Sequence, residues 1–118
     1  MKTETVFIPE LNRNIHYLIG QNAHDNFAVI DEGFEHDLWF HAKLFSSCHV
    51  VCLLPNEIKL TEKEKKGVIR KGAELCKEHT NKLKIIEKVV IAYTEIKNVT
   101  KTKTPGLVNM TNFQLITV

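Results

Sequence analysis

Apolar and polar positions alternate in short runs up to residue 54 and take a helical spacing after residue 60, so the chain reads as strands, a helix and further strands. Thr5 to Ile8 and Asn14 to Ile19 read as two strands joined through Pro9-Glu10-Leu11-Asn12-Arg13, a hairpin. Residues 22–26 read as a loop or a short helix. Asp37 to Ala42 and His49 to Leu54 make a second strand pair, with Lys43 to Ser47 turning between them, and Pro55-Asn56 ends the second strand. Thr61-Glu62-Lys63-Glu64 matches a capping box, with Thr61 covering a free amide and Glu64 reaching back, so a helix starts there. Its core stripe is Val68, Gly72, Leu75 and His79, flanked by Ile69 and Cys76. Glycine costs about 1 kcal/mol relative to alanine in a helix interior, so Gly67 and Gly72 predict close packing against the sheet. Ile85 to Tyr93 reads as a buried strand, Lys97 to Pro105 as a basic, threonine-rich loop, and Gly106 to Val118 as one or two closing strands. With no regular βαβ alternation, the expected class is α+β: a mixed or antiparallel sheet with one main helix packed on it.

The segment 37–49 concentrates the unusual chemistry. Period-2 alternation puts Asp37, Trp39 and His41 on one face of their strand and Leu38 and Phe40 on the other. The expectation is that Leu38 and Phe40 take the core, while the single tryptophan of the chain stays open to stack on a nucleotide base. Asp37, His41 and Ser46 or Ser47 are also the residue types of a hydrolase triad. No Gly-x-Ser-x-Gly elbow accompanies them and no phosphate-cradling glycine loop is present, so no catalytic residue is expected.

Composition changes the picture in three ways. A chain of 118 residues with 43% hydrophobic and 25% charged residues has the size and balance of one globular domain spanning 1–118. No apolar run approaches the ~20 residues of a spanning helix, and the start Met1-Lys2-Thr3-Glu4-Thr5 is too polar for a signal peptide, so a soluble cytoplasmic protein without membrane contact is expected. Cys48, Cys52 and Cys76 read as buried free thiols. In a regular strand Cys48 and Cys52 lie roughly 13 Å apart at ~3.3 Å per residue, too far to share an ion with bonds of about 2.3 Å; no metal and no cofactor are expected. Charge is segregated: residues 1–58 hold three Lys and Arg against eight Asp and Glu, a net of −5, and residues 59–103 hold thirteen against six, a net of +7. A basic second half suits a polyanion. On the helix the cations Lys63, Lys66, Arg70 and Lys77 lie opposite the core stripe.

Four pieces of the chain, in order, carry a family resemblance. They are Ile19-Gly20-Gln21-Asn22-Ala23-His24-Asp25-Asn26; Asp37-Leu38-Trp39-Phe40-His41-Ala42-Lys43 with Ser46-Ser47-Cys48-His49-Val50; Tyr93-Thr94-Glu95-Ile96-Lys97-Asn98-Val99; and Pro105-Gly106-Leu107-Val108. Together they resemble the NFACT-R domain, the RNA-binding domain of NFACT proteins in ribosome-associated quality control, over roughly residues 15 to 118. Gln21 stands where the family has arginine, which removes a cation that a phosphate would meet. The chain is too short for the family's other domains and coiled coils, so a free-standing copy of the domain is expected.

The resemblance implies an RNA partner, tRNA or ribosomal RNA on the large ribosomal subunit; the residues leave the choice between RNA and DNA open. Lys43, Lys66, Arg70, Lys101 and Lys103 are then the expected phosphate contacts, and Trp39 and His41 the stacking or polar contacts. Asp37, Ser47 and His49 fix their geometry. Asn22 and Asn26 match the family's motif and contact sugar or backbone, or else cap the local loop. The alternative is a protein-interaction module without nucleic-acid contact, in which Trp39 and Phe45 anchor a partner protein.

Overall fold

The computed structural model describes residues 1–56 and 59–118. Its first two strands, β1 (Lys2–Ile8) and β2 (Arg13–Ile19), form the expected antiparallel hairpin. The turn is closed by amides of Leu11 and Asn12 donating to the carbonyls of Ile8 and Pro9, and Asn12 takes the left-handed conformation at φ 52° that asparagine tolerates better than most residues. The segment beginning at residue 22 is a full helix, α1 (Ala23–Glu32), longer than the loop or short helix expected from residues 22–26. Strands β3 (Leu38–Ala42) and β4 (Val50–Leu53) follow, then α2 (Glu62–Glu78).

The capping box of α2 is present. Glu64 N–H donates to Thr61 Oγ1 at 3.2 Å, and Thr61 N–H donates to Glu64 Oε1 at 2.8 Å. Val68, Gly72, Ala73, Leu75 and Cys76 are its buried residues, while His79 caps its C-terminus half-exposed. Close packing at Gly72 is literal: a Cβ there would lie 2.3 Å from Phe40 Cζ. The chain closes with β5 (Val90–Glu95), a 3-10 turn, the hairpin β6 (Val99–Lys101) and β7 (Val108–Met110), and β8 (Gln114–Thr117). The expected strand at 85–93 therefore starts five residues late. Ile85 is 85% exposed, and Leu83 takes the core position before it.

The large sheet has six strands in the order β1-β2-β4-β3-β5-β8, every neighbour antiparallel; β6 and β7 form a separate two-stranded sheet. The fold is α+β as expected, with an antiparallel sheet and two helices in place of one. α2 covers one face, packing on Tyr17, Phe40, Val50 and Cys52. On the other face Val29 and Ile30 of α1 meet Leu18, Trp39 and Val51, with Val99, Val108 and Met110 of the small hairpin added to the cluster. The central strands β3 and β4 are thus buried on both sides. Among the described residues no helix is long and apolar enough to cross a membrane.

Candidate nucleic-acid interface

The double covering of the sheet decides the fate of the segment 37–49. Trp39 does share a face with His41, as alternation requires, but that face lies under α1 and the small hairpin, and Trp39 is 1% exposed. A base cannot stack on it. Asp37, 3% exposed, is a structural carboxylate: its two oxygens accept from the amides of Phe34 (2.8 Å) and Leu54 (2.9 Å), at the end of β3 away from Lys43. Ser47 and His49 are also buried.

These residues build a frame rather than a surface. Trp39 Nε1–H donates to His49 Nδ1 at 3.2 Å, and the His49 ring stands edge-on to both Trp39 and His41, with centroids 5.3 and 4.9 Å away. Burial, helped by the neighbouring His41, holds His49 neutral by lowering its pKa to about 3, against weaker opposing hydrogen bonds to the backbone at Asn26 and Gly106. Asn26 Oδ1 accepts from His49 N–H at 3.0 Å and occupies the space that a side chain at position 20 would need; a Cβ on Gly20 would lie 2.2 Å from it. Asn22 is the N-cap of α1, its Oδ1 accepting from Asp25 N–H at 2.9 Å. Ser47 Oγ accepts from Ala42 N–H at 2.9 Å and donates to Cys48 O at 3.0 Å, which ties the base of the loop 43–48. Gly106, at φ 81°, sits against Ala23, where a Cβ would come within 3.2 Å of Ala23 Cα. A left-handed φ and this close approach both call for glycine.

The frame draws the start of α1, the loop 43–48, the end of α2 and the tip of the small hairpin around one cleft of ≈ 860 Å³, lined by residues 20–23 and 26, 41, 43–48, 79–82 and 105–107. Among the described residues no aspartate or glutamate lines it, whereas Lys43 and Lys82 do. His41 lies half-buried in its wall with Nδ1 2.7 Å from Ala42 O. Burial lowers its pKa, the contact with Ala42 works against this, and the charge of Lys82 adds to the lowering. Phe45 is 43% exposed at the tip of its loop.

Of the expected phosphate contacts, Lys43 lies in the cleft, with its ammonium 5.2 Å from the Phe113 ring centroid. Lys103 is exposed on the hairpin loop that carries Pro105, a loop shaped by Thr102 Oγ1 donating to Thr104 O and Leu107 O. Lys101 is engaged elsewhere: it pairs with Asp31 of α1 and lies 5.4 Å from the Phe27 ring centroid, fastening the small hairpin to the helix. Lys66 and Arg70 are exposed on α2 but precede the cleft residue Thr80 by 14 and 10 residues, about 21 and 15 Å at the helical rise. Arg70 borders a second depression that also contains Glu74 and Glu78. Lys77, half-buried, donates to the carbonyls of Glu87 and Val118.

Lys82, Thr80 and Asn81 are cleft residues that the sequence pattern did not single out. They lie just past the end of α2 and reach the cleft through tertiary packing, which leaves no local signal; Cys48 N–H donating to Thr80 Oγ1 at 3.1 Å makes the link. The cysteines are free thiols. Cys48 Sγ contacts Cys76 O, and Cys76 Sγ contacts Cys48 O, both at 3.4 Å. Among the described residues no three His, Cys, Asp or Glu side chains group as a metal site.

Comparison with known proteins places this geometry. A solved structure with the same fold, the C-terminal part of the fibronectin/fibrinogen-binding protein from Streptococcus suis, aligns over 100% of this chain at a TM-score of 0.76 and 23% identity. The chain spans 45% of that one. No curated protein matches the sequence. The NFACT protein RNA binding domain family matches residues 5–112, nearly the whole chain, and includes every motif that builds the cleft: this chain belongs to the NFACT RNA-binding domain family, a family of RNA-binding modules.

Proposed function

We propose that the chain binds structured RNA of the translation machinery, tRNA or ribosomal RNA of the large subunit, as a non-catalytic module of ribosome-associated quality control in the cytoplasm. The cleft is the contact surface. The observation that carries this reading is the convergence of three of the four family motifs, those at 19–26, 37–50 and 105–108, on one cleft whose described lining residues include no acid, with Lys43 and Lys82 in that lining and Lys103 on the adjoining loop. Structured RNA is recognised through shape, phosphates and 2′-hydroxyls, and cations on loops held by a rigid frame meet phosphates at little ordering cost. The triad-like set is taken up by structural bonds: Asp37 holds two backbone amides and Ser47 closes its loop.

The protein-interaction alternative loses one of its two anchors, since Trp39 is in the core. The streptococcal protein of like fold is described as binding fibronectin and fibrinogen, so a protein ligand is the outcome against which RNA must be tested. Equilibrium binding of the purified domain to labelled tRNA and to large ribosomal subunits, over a series of salt concentrations, makes that test. Log affinity is expected to fall linearly with log salt, by about 0.7 to 0.9 per phosphate neutralised. No binding at low salt, or binding that does not respond to salt, contradicts the proposal.

A further inference from the structure

We infer that the cleft is a pocket for one unpaired nucleotide, with Phe45 as its stacking platform; the inference rests on the RNA-binding reading of the same cleft. The volume of ≈ 860 Å³ falls within the roughly 300–1,000 Å³ typical of small-ligand sites, whereas a duplex backbone needs only a charged surface. Phe45 is the only Phe, Tyr or Trp among the described residues lining the cleft, and it is held 43% exposed on a loop whose base Ser47 ties down. A large aromatic kept in solvent by a braced loop leaves apolar surface without a partner. Leu107, on the opposing hairpin tip, is likewise exposed.

The occupant follows from the chemistry around that surface. Apolar area beside Lys43 and Lys82, with no carboxylate among the described lining residues, suits a ligand with a flat face and a negative charge. An unpaired nucleotide has both. Bases in an A-form stem keep their faces stacked on one another and present none to a side chain, whereas a bulged or looped base offers one. Base–aromatic stacking tolerates any base identity, so the pocket selects unpaired structure over sequence.

The test uses two short RNAs with the same stem, one fully paired and one carrying a single-nucleotide bulge, titrated at low salt against the wild-type domain, Phe45→Ala and Phe45→Trp. Thermal melts establish that each variant folds. The wild type is expected to prefer the bulged RNA. Phe45→Ala is expected to lose roughly 5- to 150-fold in affinity for it, the range of one stacked base, with little change for the paired stem, and Phe45→Trp to retain the preference. Equal binding of both RNAs by the wild type, or an equal loss on both in Phe45→Ala, overturns the nucleotide pocket and leaves RNA binding standing. Failure of the wild type to bind either RNA overturns both.

Discussion

Trp39 and Phe40 point to opposite faces of β3, and both are core: Trp39 packs with Val29, Ile30 and Val51, and Phe40 lies under Gly72 of α2. Truncating either aromatic leaves a large cavity between packed layers. Trp39→Ala and Phe40→Ala are each expected to cost about 3 to 5 kcal/mol of folding stability, read from the midpoints of urea unfolding curves. A Trp39→Ala protein that melts like wild type contradicts the packing described. The alternation of β3 was legible in the sequence, because Trp39 and His41 do share a face, while Asp37 lies just before the strand. What alternation cannot report is whether a face is covered, and here α1 and the small hairpin come from distant segments to cover it. The single tryptophan suits a recognition role for a reason equally good for a core residue: its large area and one polar handle, which His49 satisfies.

Elements differ in how plainly they announce themselves. The β1–β2 hairpin and α2 were legible, since a turn that holds Pro9 and Asn12 and a capping box are local signals that local bonds then realise. The length of α1 was not, because its motif residues Asn22 and Asn26 read equally well as loop formers; it is Val29 and Ile30, packing on the sheet, that make it a helix of ten residues. The late start of β5 has a similar cause: the apolar run includes Ile85, which lies outside the core while Leu83 goes in. The join between elements is the contact from Trp39 through His49 to the backbone at Gly106, which ties β3, the start of β4 and the small hairpin. It carries a pH dependence. The unfolded chain protonates this imidazole near pH 6.5, while the folded one resists until about pH 3. Between these values the unfolded state binds the extra proton, so His49 stabilises the fold fully above pH 6.5 and that contribution shrinks as pH falls, with a limiting slope of about 1.4 kcal/mol per unit. His41, also lowered by burial, acts in the same direction. Urea stability measured at pH 7 and pH 5 is expected to drop more in the wild type than in His49→Gln; equal drops contradict the buried neutral imidazole.

Across the whole molecule the charge asymmetry of the sequence is real, but it divides in space in a way that counting along the chain conceals. Lys66 and Arg70 lie on the body of α2, and Lys101 is paired with Asp31. Lys43, from the acidic first half, stands in the cleft with Lys82 from the basic second half. The cleft is therefore a meeting of loops from four parts of the chain, arranged by a sheet buried on both faces. The motif pieces were visible as residues, and the convergence of three of them on the cleft became visible only with the fold. The central claim, that the cleft and not the basic helix is the RNA surface, is tested most directly by comparing the tRNA affinity of two double variants at about 0.1 M salt. Lys43→Glu with Lys82→Glu is expected to weaken binding at least tenfold and to flatten the salt dependence, while Lys66→Glu with Arg70→Glu, equal in charge change, shifts it less than about threefold, as screening over a Debye length of about 10 Å allows. The reverse order, with the helix variant losing binding and the cleft variant keeping it, contradicts the account.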